Sequence, residues 1–206
     1  MLSRPVKKSW KIKILRLLIL IILALLIFCT VFIVKQPEKL AVDKPAIIVE
    51  PKKTIVIGQP KRLKIPIINL DANIIEVGIT PDGAMDTPDD PDVAWYNLGP
   101  RPGEKGNAVI AGHYGFLNGN ESVFNNLHKL NKGDKLQIID KKGSEISFVV
   151  KESRKYNPSD DATDIFISTD ENIHLNLITC DGTWQNDKKT YSNRLVIFTD
   201  KEEIAS

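Results

Sequence analysis

Eighteen consecutive residues, Leu17 to Val34 (LLILIILALLIFCTVFIV), carry no charge and almost no polarity. At about 1.5 Å per residue such a helix nearly spans a hydrocarbon core, and Ile12 and Ile14 lengthen the apolar stretch. Six basic residues come before it: Arg4, Lys7, Lys8, Lys11, Lys13 and Arg16. Positive charge is retained on the cytoplasmic side, so the N-terminus is expected inside and the rest of the chain outside. A cleaved signal peptide would have a shorter apolar core and a small-x-small cleavage site, which IVKQPEK does not supply. A buried core helix would keep a polar face, and this run is apolar all round. The expectation is a single-pass protein of the cytoplasmic (plasma) membrane. Residues 1–13 form a basic cytoplasmic tail, 14–34 a transmembrane signal anchor, 35–60 an extended stalk and 61–206 an extracytoplasmic domain.

The charge distribution fits this division. The net charge of +2 splits into +8 over residues 1–60 and −6 over residues 61–206. A nucleic-acid-binding domain would carry its basic residues on the folded part, so that class is disfavoured. Topology also constrains the two cysteines. Cys29 lies in the apolar run, where a small thiol needs no function, and Cys180 lies in the exported domain. The exported domain therefore has no internal disulfide, and Cys180 is a thiol left over in an oxidising compartment.

The stalk contains Pro37, Pro45, Pro51 and Pro60 with several lysines and little periodicity, which reads as an extended tether. TIVIG, at its end, could dock on the domain as a short strand. From Lys61 onward strand signals accumulate. LKIPIINLDANIIEVGI reads as two strands broken at Asp71-Ala72-Asn73, with Pro66 marking an edge or a bulge. NAVIAGH is a strand ending at Gly112-His113. KLQIID, a Lys141-Lys142-Gly143-Ser144 turn and EISFVVKESRKY form a hairpin. IHLNLITC and RLVIFTD are the last two strands, and ESVFNNLHKL is the one good helix candidate in the soluble part. Seven or eight short strands predict an all-β barrel or sandwich, and about 140 residues can bury a core without disulfides.

Alternation along the strand before Cys180 puts Ile173, Leu175, Leu177 and Thr179 on one face and His174, Asn176, Ile178 and Cys180 on the other. The first set should face the core. Cys180 falls on the more polar face, at a strand end before an Asp181-Gly182 turn. Placement alone leaves both a packed thiol and a nucleophile open. A nucleophile needs a proton partner, usually histidine. His174 is six residues from Cys180 on the same strand, about 20 Å away. His128 sits in the expected helix and reads as a surface residue. His113 ends a strand among glycines, where an imidazole can project into a cleft, and is the best of the three. Arg194 opens the final strand. If that strand pairs with the one ending at Cys180, its guanidinium returns beside the thiol, where it could support an oxyanion.

No cofactor is expected. One cysteine and three scattered histidines give no zinc-type spacing. TPDGAMDTPDDPD carries Asp82, Asp86, Asp89, Asp90 and Asp92 but lacks the spaced ligands and closing Glu of a calcium loop, so it reads as a solvated loop and a calcium role is disfavoured.

These residues also carry a resemblance. The sequence is similar to the sortases, membrane-anchored cysteine transpeptidases of bacterial cell surfaces. Their TLxTC signature appears as NLITC, Asn176 to Cys180, with Asn in place of the first Thr. The family histidine matches His113 in AVIAGHYG and the family arginine matches Arg194 in NRLVIF. The likeness runs from about Ile65 through Phe198, and IPIINLDANIIEVGITPDGAM with LITCDG is most similar to the class called F. The resemblance implies an eight-stranded β-barrel with one or two short helices. It implies that Cys180 attacks the Thr carbonyl of an LPxTG-like motif in a surface protein. His113 would protonate the leaving amine, and Arg194 would support the oxyanion or position the motif. The acceptor would be an amine of peptidoglycan precursor, a pilin lysine, or water. A peptidase that only hydrolyses and a non-catalytic surface-binding barrel are the alternatives. A cysteine transpeptidase that acts on peptidoglycan alone fits less well, because its Ser-x-Gly-Cys-x-Arg pattern differs from ITCDGT here.

Overall fold

The computed structural model describes Leu15 and residues 19–23, 57–87, 91–117 and 119–203. The chain divides into two units, Met1–Lys53 and Thr54–Ser206. In the first, Leu15 and residues 19–23 are helical and exposed. The remainder of the expected anchor, the basic tail and most of the stalk lie outside the described residues. Among the described residues no helix is long and apolar enough to cross a membrane.

The second unit is built on ten strands: β1 Pro60–Ile65, β2 Leu70–Val77, β3 Val93–Tyr96, β4 Gly106–Ala111, β5 Phe116–Leu117, β6 Asn120–Glu121, β7 Lys135–Asp140, β8 Glu145–Tyr156, β9 Ile173–Gln185 and β10 Thr190–Lys201. Eight of them close a barrel in the order β1-β2-β3-β4-β9-β10-β8-β7, while β5 and β6 form a separate small hairpin. The expected eight-stranded all-β barrel is therefore present. Its interior is filled by the inward set of each strand, among them Leu63, Ile65, Ile110, Leu136, Phe148, Leu175, Leu177 and Ile197. Each such side chain contributes roughly 1.5–3 kcal/mol by leaving water. Alternation places Leu175, Leu177 and Thr179 on this inner face, as the pattern predicts, all at most 3% exposed.

Several local expectations are corrected. The break between β1 and β2 falls at Pro66–Asn69, not at Asp71-Ala72-Asn73. A 3-10 turn over Pro66–Ile68 ends on Asn69 in the left-handed region at φ 53°, a conformation asparagine tolerates better than most residues. The expected helix from Glu121 to Leu130 is instead a series of turns closed by one 3-10 turn, Leu127–Lys129. Among the described residues of this unit the α-helix, α1, is Thr163–Phe166, in the connection between β8 and β9. TIVIG is not a strand in its described part. Ile57 packs on the core, the Gly58 N–H donates to the Asp140 carboxylate at 3.1 Å, and the ladder begins at Pro60.

Residue 180 does not end its strand. β9 runs on through Asp181 and Gly182 to Gln185, and the reversal comes at residues 186–189. Gly182 takes φ 85° next to a register shift between Tyr191 and Asn193, so the Asp-Gly pair makes a bulge instead of a turn.

Candidate active site

Cys180 and Arg194 are directly opposed in the antiparallel β9–β10 ladder. Opposed residues in such a ladder point to the same face. On the other side of β9, β4 runs parallel, with Ala111 beside Ile178. The Gly112 N–H donates to the Ile178 carbonyl at 3.1 Å, and the Thr179 hydroxyl donates to the Gly112 carbonyl at 2.7 Å. The chain thus stays against β9 at Gly112, one residue beyond the end of β4 and immediately before His113. On β8, Tyr156 lies opposite Arg194. Cys180, Arg194 and Tyr156 therefore fall in one row across β9, β10 and β8, on strands spaced about 4.8 Å apart, and His113 follows the end of β4, the neighbour of β9 on its other side.

Arg194 is held from behind by the start of its own strand. Nη1 donates to the carbonyls of Tyr191 and Asn193 at 3.4 and 3.1 Å, and Nη2 donates to the Thr190 hydroxyl at 3.1 Å. These bonds engage three of the five N–H groups of a guanidinium. Cys180 is partly buried. Burial pushes its thiol above the ordinary cysteine range, and the nearby positive charge of Arg194 opposes that push without cancelling it. A proton acceptor is accordingly required before the sulfur can attack.

Beside this row stands an aromatic group. Tyr191 meets Tyr114 and Trp184 edge to face, each at 5.2 Å between ring centres. Tyr114 follows His113 and Trp184 lies four residues past Cys180, so the group ties the segment leaving β4 to the far ends of β9 and β10.

Below the row, the outer face of β4, β9, β10 and β8 is apolar and covered. Val109, Val196, Tyr156 and Ile165 form a buried cluster against which Ile178, Met85, Tyr96 and Phe166 pack. Further along β9 a cavity of about 280 Å³ opens, lined in part by Asn107, Arg154, Asp164, His174 and Phe198. None of the row residues lines it, and its charges pair internally. His174 contacts Asp200 and Asp170 at 2.8 and 2.9 Å, Lys151 pairs with Asp200 at 2.9 Å, and Arg154 pairs with Asp164 at 2.7 Å. His174 is thus kept far from Cys180. His128 caps a turn, with Nδ1 3.1 Å from the Asn125 carbonyl oxygen. Among the described residues no cluster of His, Cys, Asp or Glu could hold a metal ion. Asp89 and Asp90 of the acidic loop lie outside those residues.

The sequence placed Thr179 on the inward face and in the NLITC signature without giving it a role, and it did not point to Thr190, Tyr156 or Asn107. Only Thr179 had a signal, since alternation makes it an inward polar residue beside the cysteine. The others depend on register and on the packing of α1.

A family model described as the sortase domain matches residues 63–202. Solved structures with the same barrel include sortase C1 of Streptococcus agalactiae in complex with MTSET, at 24% identity, a TM-score of 0.55 and coverage of 71% of this chain and 68% of that one. Sortase A from Corynebacterium diphtheriae aligns at 20% identity with a TM-score of 0.56, covering 72% of this chain and 62% of that one. Sortase C from Clostridium perfringens aligns at 21% identity with a TM-score of 0.52, covering 71% and 72%. No curated protein sequence matches. The family match takes in β2 through β10 entire and the second half of β1, and the chain belongs to the sortase family of cysteine transpeptidases.

Proposed function

We propose that this protein is a membrane-anchored transpeptidase that cleaves an LPxTG-like sorting motif between Thr and Gly and joins the acyl part to an amine of the cell wall or of a pilin. The observation that carries the reading is the direct opposition of Cys180 and Arg194 in the β9–β10 ladder, with β4, the strand that His113 follows, pairing with β9 on its other side. In the first half-reaction Cys180 Sγ loses its proton to His113 and bonds to the Thr carbonyl carbon. Arg194 stabilises the oxyanion that forms. The C–N bond then breaks, and the proton passes from His113 to the leaving amine. In the second half-reaction an amine nitrogen attacks the thioester, its proton returns through His113, and the C–S bond breaks to restore the thiol. The basic tail at 1–13, the anchor at 14–34 and the stalk at 35–60 would keep the barrel on the outer side of the membrane, where both substrates are found. The stretches IPIINLDANIIEVGITPDGAM and LITCDG support a place in class F of the family.

The test uses the full-length protein in detergent, a peptide library of LPxTG variants and an added amine, read by mass spectrometry. Ligation of at least one variant, abolished in Cys180→Ala, is expected. Hydrolysis that the amine does not divert would favour a peptidase that only hydrolyses. No turnover of any variant, together with an unreactive Cys180, would favour a non-catalytic barrel.

A further inference from the structure

Asn176 stands where the family signature has threonine, and it is 1% exposed. Its Nδ2 donates to the Ile165 carbonyl of α1 at 2.7 Å. On the neighbouring strand Asn107 donates through Nδ2 to the carbonyl of Asp164 at 2.8 Å. Two side-chain amides from adjacent strands thus hold consecutive carbonyls of one short helix. From the β8 side, the Tyr156 hydroxyl and Arg154 Nη1 donate to the Asp164 carboxylate at 2.8 and 2.7 Å. A helix of four residues cannot sustain itself, so its place is dictated by what holds it.

That place bears on the chemistry. Ile165 of α1 packs into the cluster of Val109, Val196 and Tyr156, with Ile178 against it. Ile178 and Val196 are opposed in the ladder two residues before Cys180 and two after Arg194. The helix therefore rests on the face of β9 that carries Asn176, Ile178 and, by alternation, Cys180, with its anchor at Asn176 four residues before the thiol.

We infer that Asn107 and Asn176 are positioning residues: they set the height of α1 above the β4–β9–β10 face and so determine which acyl-donor side chains can be seated beside Cys180. The link to the donor rests on the proposed function. A threonine hydroxyl at 176 would sit one bond closer to the strand than the asparagine amide nitrogen. It could not reach the Ile165 carbonyl at its present height, so Asn176→Thr would leave a buried carbonyl without its donor.

The experiment compares the full-length wild type with Asn176→Thr and with Asn107→Ala, the second variant guarding against misfolding of the first. Amide hydrogen exchange is followed over residues 163–167, together with KM and kcat across a panel of sorting peptides and the rate at which iodoacetamide alkylates Cys180. Loss of one hydrogen bond predicts exchange faster by on the order of tenfold in 163–167. A raised KM and a reordered peptide ranking are expected, with kcat and alkylation unchanged. Unchanged exchange, or a fall in kcat at constant KM and ranking, would overturn the inference. If the wild type ligates no peptide, the proposed function falls, and the clamp still stands or falls on the exchange of 163–167.

Discussion

The Thr190 hydroxyl accepts a hydrogen bond from Nη2 of Arg194 at 3.1 Å, four residues along the same strand. The carbonyls of Tyr191 and Asn193 accept from Nη1, so the first turn-proximal residues of β10 aim the guanidinium. Thr190→Val keeps the shape and removes the acceptor. If Arg194 supports the oxyanion, kcat/KM should fall about tenfold, which corresponds to ~1.4 kcal/mol of transition-state stabilisation. Thr190→Ser should restore it. Steady-state ligation checks both variants, and an unaltered Thr190→Val would remove Thr190 from this role.

The thiol of Cys180 gives a pH-dependent prediction. Burial raises it above the ordinary cysteine range while Arg194 draws it down, and the thiolate is the reactive form. The alkylation rate of Cys180 should therefore rise with pH through a midpoint above that of a free cysteine. In Arg194→Met the opposing charge is gone, so the midpoint should move higher still. Peptide mass spectrometry distinguishes Cys180 from Cys29. A midpoint that does not move in the variant would mean that Arg194 does not act on the thiol.

Gly112 fixes where His113 leaves β4. A Cβ at this position would lie 2.6 Å from the Phe124 ring, a fully buried side chain. Gly112→Ala must displace either the ring or the strand end, at a cost of about 1–3 kcal/mol. A lower melting temperature is expected, with a larger proportional loss of ligation at temperatures where the variant remains folded. Circular dichroism and peptide ligation together measure this, and an unchanged pair of values would show that the strand end accommodates the methyl group.

Which of these relationships the sequence could show depends on how local they are. The β7–β8 hairpin was legible because alternation and a Lys-Lys-Gly-Ser turn sit side by side in the chain. The inward set of β9 was legible for the same reason. The β1–β2 break was misread because Asn69 takes a left-handed conformation after Pro66, which left Asp71–Asn73 free to continue a strand. Asp181-Gly182 looked like a turn, and only pairing with β10 turns it into a bulge. β3 and α1 were too short to carry a period. The candidate triad was picked out by residue type and resemblance. What carries the end of β4, and with it the start of the His113 segment, toward the Cys180 end of β9 is the parallel pairing of β4 with β9, a long-range register that no local pattern encodes.

His174, set aside as a partner for Cys180, has a structural part that titrates. Its Nδ1 faces Asp200 of β10 and its Nε2 faces Asp170 of the α1–β9 connection, at 2.8 and 2.9 Å. Lys151 of β8 shares Asp200, and the nearby Lys105–Glu171 pair ties the same connection to the start of β4. Burial alone would push the imidazole down, but the two carboxylates outweigh it and hold the folded value above the ordinary one of about 6.5. A group raised on folding contributes its full stabilisation below the unfolded value and loses it as the pH rises through the folded value. Wild type should therefore exceed His174→Gln in melting temperature at pH 5, by about 2–4 °C if the ion pairs contribute about 1 kcal/mol. The gap should narrow steadily above pH 6.5, because the neutral imidazole can donate to only one carboxylate at a time. Thermal unfolding of both proteins from pH 5 to 9 checks the sign: a gap that is constant or widens with pH would show that His174 holds the connection through packing and not through its charge.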